Sequence, residues 1–96
     1  VRSQPDISSE IATVDEVRNV LRARQPRAAL VALDRYDARF GRVGSLREEA
    51  AALRIEALLQ SGKRERATTL ARAFLAQHAQ SPYAARVRAL VAEPAH

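Results

Sequence analysis

The sequence predicts an all-α fold: five helices laid down as antiparallel pairs, two repeats of a helix pair followed by a C-terminal capping helix. Three observations predict it. Apolar residues recur at helical spacing along nearly the whole chain. Proline, glycine and serine interrupt that pattern at intervals of about one helix length. Finally, Ala29, Leu33 and Tyr36 return 38 residues later as Ala67, Ala71 and Phe74.

The elements follow in order. Residues 1–8, VRSQPDIS, are polar and carry a proline, and read as a linker. Ser8 or Ser9 can cap a first helix reaching about Arg24. Ile7, Ile11, Val14, Val17 and Leu21 fall on one side of it, with Asp15, Arg18, Asn19 and Arg22 opposite. Gln25-Pro26 stops this helix and starts the next, because proline breaks a helix interior but suits a first helical position. The second helix carries the stripe Ala29, Leu33, Tyr36, Phe40, with Ala32 beside it. So short a connection makes the two helices antiparallel.

FGRVG is the next loop, and Ser45-Leu46-Arg47-Glu48 has the form of a capping box opening a third helix over about 46–61. Gly62 is placed to end it as a left-handed residue. This helix has two apolar stripes, Leu46, Ala50, Leu53, Ala57 and Ala51, Ile55, Leu58, Leu59. Arg47 and Arg54 separate them on one side, and Glu49, Glu56 and Gln60 on the other. Two apolar sides require neighbours on two sides, so the third helix is predicted to be central. The fourth, about 64–79, gathers Ala67, Leu70, Ala71, Phe74 and His78; the fifth begins at Ser81-Pro82 and faces inward with Tyr83, Val87, Leu90 and Val91. Arg86 and Arg88 point away from that face, as a capping helix requires, and residues 93–96 read as a frayed tail.

Bulk composition narrows the function. Ninety-six residues make one small domain, and with no Cys, Met or Trp its core must be built from Ala, Leu, Val and Ile. The lack of Cys excludes a disulfide scaffold and a thiolate metal site. No apolar run approaches membrane-spanning length and no signal-peptide pattern is present; the opening at Val1 rather than Met reads as a processed product or an excised domain. The net charge of +5 rests on fifteen Arg and one Lys, and with abundant Ala it reads as compositional bias rather than a nucleic-acid surface.

The stretch G-x4-A-x3-A-x2-F (Gly62, Ala67, Ala71, Phe74), followed by Gln80-Ser81-Pro82, resembles a tetratricopeptide repeat. It is most similar to the variant in bacterial outer-membrane assembly lipoproteins and periplasmic tol-pal coordinating proteins. The run GSLREEAAALRIEALLQSGKRERA also resembles C-terminal repeat modules of membrane-bound sigma-regulator proteins. The resemblance spans about residues 10–92. It departs from the family pattern in lacking the first-helix Trp and Leu-Gly, and in holding Gln25-Pro26 where glycine is usual. It implies a protein-binding or signalling scaffold, a partner segment held on the concave face of helices one and three, and the periplasm or cell envelope over the cytoplasm.

No catalytic constellation stands out, so the chain is read as a non-enzyme needing no cofactor or metal. His78 lies on an apolar stripe and reads as a core-edge histidine, and His96 falls in the tail. Glu49 and Glu56 are the best carboxylate pair, but they read as a solvated strip rather than an acid–base couple. No phosphate-cradling glycine motif is present, and the few aromatics belong to core stripes, which argues against nucleic acid as a partner. The first helix mixes acids and bases on its polar face, unlike a membrane-lying helix.

What remains is a protein-interaction module. Its expected contact residues are Ile11, Val14, Arg18, Leu21 and Arg22 on helix one, with Glu49, Ala52, Glu56, Leu59 and Gln60 on helix three. The alternative is a structural role: two repeats bury little, so the domain either continues a longer array or dimerises through helix one.

Overall fold

A computed structural model describes residues 7–92. Among them are five α-helices and no strand: α1 (Ile7–Arg22), α2 (Pro26–Arg39), α3 (Arg47–Gln60), α4 (Arg64–Gln77) and α5 (Ala84–Val91), with a 3-10 turn at Gly41–Val43. The tail 93–96, with His96, and all but two residues of the expected linker lie outside the described residues. Those two, Ile7 and Ser8, are helical, so neither Ser8 nor Ser9 caps α1; both sit in its first turns.

Two turns share one design. At the end of α1, the Gln25 N–H donates to the Val20 carbonyl at 2.8 Å and the Arg24 N–H to Leu21 at 3.0 Å. At the end of α3, Lys63 donates to Leu58 at 2.8 Å and Gly62 to Leu59 at 3.0 Å. This crossed pair satisfies carbonyls that a helix end leaves orphaned, and it demands a left-handed residue. Gly62 fills that place at φ 79° in one turn and Arg24, a non-glycine, at φ 61° in the other. Pro26 follows as the first residue of α2, where its missing N–H is not needed.

α3 lies beside all four other helices. Its two stripes enter two different cores. Ala50, Leu53 and Ala57 join Val14, Val17, Leu21 and the α2 stripe in the first. Ile55 and Leu58 join Ala67, Ala71, Phe74 and Val87 in the second. Tyr36 and Phe40 are almost wholly buried, with rings 5.1 Å apart; burial of such a side chain contributes ~1.5–3 kcal/mol. Ala29 and Ala67, both without exposed surface, bring helices close where a larger residue would hold them apart.

Four further local expectations are corrected. The fifth helix starts at Ala84 rather than at Ser81-Pro82, which lie in the turn before it. Leu70, assigned to the α4 stripe, is exposed. Ile7 and Ile11, assigned to the α1 stripe, are about half exposed, and the side they were given to is completed by Glu10. The Ser45 capping box does not form: the residue preceding α3 is Leu46, and no side chain within that segment caps the helix.

Glu10 explains the last two corrections. It is 3% exposed, yet ionisable. Its Oε2 accepts the Tyr36 hydroxyl at 2.6 Å and the Leu46 backbone N–H at 2.7 Å. A carboxylate from α1 therefore accepts the backbone N–H of the residue that opens α3, the kind of bond the box glutamate, Glu48, was expected to make. Burial alone would raise the Glu10 pKa; the bonds from Tyr36, Leu46 and Ser45 outweigh it and hold the carboxyl below its ordinary value. Burial, followed by the Glu10 carboxylate, pushes the Tyr36 hydroxyl up. Gly44 is needed here for room, because a Cβ on it would meet the Tyr36 hydroxyl and lie 2.6 Å from Glu10 Oε2.

Candidate functional site

α1, α3 and α5 enclose an open cleft of about 340 Å³, lined by Arg18, Leu21, Arg22, Glu49, Ala52, Leu53, Glu56, Tyr83 and Arg86. The Glu10 anchor described above sets α1 against α3, and so fixes two of its walls.

The polar groups converge on two carboxylates of α3, Glu49 and Glu56. The Arg18 Nε–H donates to Glu49 Oε2 at 2.8 Å, with a second contact from its Nη2, while Arg18 Nη1 reaches Asp15. The Tyr83 hydroxyl donates to Glu49 Oε1 at 3.3 Å. Two turns along α3, Arg86 of α5 donates to Glu56 at 2.6 Å. Each glutamate thus receives an arginine from the helix on its own side. The bond to Glu49 raises the Arg18 pKa. Burial, then the Glu49 charge, raises that of Tyr83. Arg22 meets neither glutamate, donating instead to Asn19 at 3.2 Å.

Six of the ten expected contact residues line this cleft: Arg18, Leu21, Arg22, Glu49, Ala52 and Glu56. Leu21 and Ala52 are buried and form floor rather than rim. The other four stand elsewhere. Val14 is inside the first core, Leu59 packs against the second, and Ile11 is exposed away from the cleft. Gln60 donates to the Leu21 carbonyl at 3.1 Å and ties the ends of α1 and α3 together.

The sequence reading missed Leu53, Tyr83 and Arg86. The last two were assigned to a capping helix, one inward and one outward. Their spacing of three residues puts both on one side of α5, the signal that would have found them.

Among the described residues no group of three or more His, Asp or Glu is placed to hold a metal ion, and no helix is long and apolar enough to cross a membrane. His78 caps the end of α4, with its ring 5.1 Å from Phe74 and its Nδ1 3.5 Å from Glu48, at the core edge where it was expected. The site can offer paired charges over a small apolar floor. Compared with family models, with curated proteins and with solved structures, the chain matches none.

Proposed function

We propose that this chain is a non-catalytic protein-interaction module that holds a segment of a partner protein in the cleft of α1, α3 and α5. The observation carrying the reading is the double row of Arg18–Glu49 and Glu56–Arg86 pairs flanking open space above Ala52 and Leu53. The arginines of these pairs are 39% and 54% exposed while the glutamates are mostly buried, so the guanidinium groups keep an open side for a partner's carboxylates. A segment presenting both signs and a small apolar side chain fits that surface.

The likeness of the α3–α4 region to a tetratricopeptide repeat supports the same reading. So does the register of the helices: α2 and α4 begin and end 38 residues apart, 26 to 64 and 39 to 77. Arrays of such pairs bind on the side formed by their first helices. By the same likeness, the module belongs to a larger envelope or regulatory protein.

The test is peptide selection from a display library on the 96-residue chain, followed by amide-shift mapping and Kd measurement. Shifts on residues 18–22, 49–56 and 83–86, with binding weakened by Arg18→Ala and Arg86→Ala, support the cleft. Shifts confined to the outer faces of α2 and α4 defeat it. A second reading rests on Ile7 and Ile11, two exposed isoleucines one turn apart on α1. If the chain dimerises and Ile11→Ser abolishes the dimer while no peptide binds, self-assembly takes the place of capture.

A further inference from the structure

The chain's charge is not spread over its surface. Residues 22–27 and 61–66 carry six cations, Arg22, Arg24, Arg27, Lys63, Arg64 and Arg66, and one acid, Glu65, and so hold the whole net charge of +5. The fold brings these two segments together. They are the α1–α2 and α3–α4 turns, which lie side by side at one end of the helices: Pro26 and Arg27 of one line the same hollow of about 500 Å³ as Ser61 and Lys63 of the other. All six cations are exposed.

Three features set this end apart from ordinary solvation. First, Asp15, Glu16, Asp34, Asp37, Glu48, Glu49 and Glu56 are all engaged by Arg or His elsewhere, and among the described residues Arg24, Arg27, Lys63 and Arg66 pair with no acid. Arg39, Arg47, Arg72 and Arg88 pair with none either, but they stand at separate positions along the chain, whereas these four fall in two adjoining turns. Second, at the heads of α2 and α4 the placement opposes the helix dipoles, although Arg22, in the last turn of α1, suits the end it occupies. α1 and α3 carry acids in their first turns, as the positive end of a helix favours. α2 has no acid in its first turn and carries Arg27 there, and α4 opens on Lys63, Arg64 and Arg66 against Glu65 alone. Third, Arg24 holds a left-handed backbone that its counterpart Gly62 adopts without strain. On folding grounds mutual repulsion argues against the cluster, the dipoles against the cations at the heads of α2 and α4, and the backbone against Arg24, and an anionic partner offsets these costs.

We infer that the paired turns form a docking surface for an acidic polypeptide segment. Guanidinium forks, which five of the six cations carry, match carboxylates two oxygens at a time. Tyr36, Phe40 and Phe74 are buried, and Tyr83 lies in the cleft, which leaves no aromatic platform here for stacking on bases. Exposed Val31 and Leu70 stand inward along α2 and α4 and Leu30 is only partly exposed in the hollow, so among the described residues the end itself has no large exposed apolar side chain to enter a bilayer. Arg22 borders both this surface and the cleft, and a chain leaving the cleft at that point runs directly onto it. The inference nonetheless stands without the cleft reading.

The probe is decaglutamate, titrated into the 96-residue chain at low and moderate salt. Binding that weakens with salt and shifts the amides of residues 22–27 and 61–66 is expected. The triple variant Arg27→Glu, Lys63→Glu, Arg66→Glu should bind roughly tenfold more weakly or worse. It should also melt higher than the parent, because each change puts an acid at a helix N-terminus; loss of binding then cannot be loss of fold. Arg39→Glu, at the far end of α2 from these turns, should leave the affinity unchanged. No binding, shifts elsewhere, or an unchanged Kd in the triple variant overturns the inference. Tighter binding of duplex DNA or of phosphatidylserine vesicles at equal charge overturns it too, and assigns the surface to those partners. Arg18→Ala acts on the cleft alone, so its effect on selected peptides separates the two readings.

Discussion

The Glu10 carboxylate on α1 receives the backbone N–H of Leu46, 36 residues away, at the mouth of α3. Hydrogen bonds, rather than a cation, hold this buried charge, and its loss removes a cap, a Tyr36 partner and an inter-helix tether together. Glu10→Gln keeps the shape but not the charge, and should destabilise the fold by ~2 kcal/mol at neutral pH, read from urea midpoints.

The same group sets an acid dependence. Its folded pKa is depressed, so its contribution is complete above the ordinary value of 4.5 and is lost as pH falls through the lower folded value. The urea midpoint of the parent should fall over that window, and that of Glu10→Gln should fall less. Equal slopes would remove Glu10 from the account.

Gly44 is confined by the same pair. Gly44→Ala drives a methyl group against the Tyr36 hydroxyl and Glu10, and should cost about 2–3 kcal/mol. Tyr36→Phe in that background removes the oxygen that is struck first, so the two changes should couple by ~1 kcal/mol in a double-mutant cycle. Strict additivity would show that the contact relaxes elsewhere.

The two left-handed turn residues give opposite expectations. Arg24→Gly should stabilise by ~1 kcal/mol, and Gly62→Ala should destabilise by a similar amount, both seen in thermal melts. The crossed hydrogen bonds that the turns share make each the control for the other.

Close approach at Ala67 is tested by overpacking. Ala67→Leu should destabilise by ~1–3 kcal/mol, whereas Ala76→Leu, on the exposed side of the same helix, should stay within ~0.5 kcal/mol of the parent. A neutral Ala67→Leu would mean that α4 does not pack through its small residues.

Helix number, the breaks at Pro26 and Gly62 and the double face of α3 were legible in the sequence, because each is written in local spacing. Where that reading failed, the answer lay across the chain. Glu10 is an acid among apolar positions, and its burial depends on a tyrosine and a backbone amide that no local pattern brings near. The Ser45 box lost its role to that same distant carboxylate. Arg18 and the two glutamates were correctly placed on facing sides by periodicity. The choice of partners, Glu56 with Arg86 rather than Arg22, depended on where α5 docks, which short apolar stripes do not encode. The adjacency of the charged turns was not legible for a similar reason: the sequence shows the arginines of each turn, and only the antiparallel pairing sets those of 22–27 beside those of 61–66.

α3 also has a consequence for how the molecule opens. Its two stripes feed two cores, and of the partly buried residues around them only Leu30 packs against both. Loss of α4 and α5 from the second core would leave the first core, with α1, α2 and the inner stripe of α3, intact. Amide hydrogen exchange should register this as two protection levels, with α4 and α5 exchanging through a partial opening and the α3 amides bonded within the Leu53–Ala57 stretch waiting for global unfolding. An opening of that kind would carry away Arg86 and Tyr83 while Arg18 stayed on Glu49, so the cleft would lose one wall without the chain losing its fold.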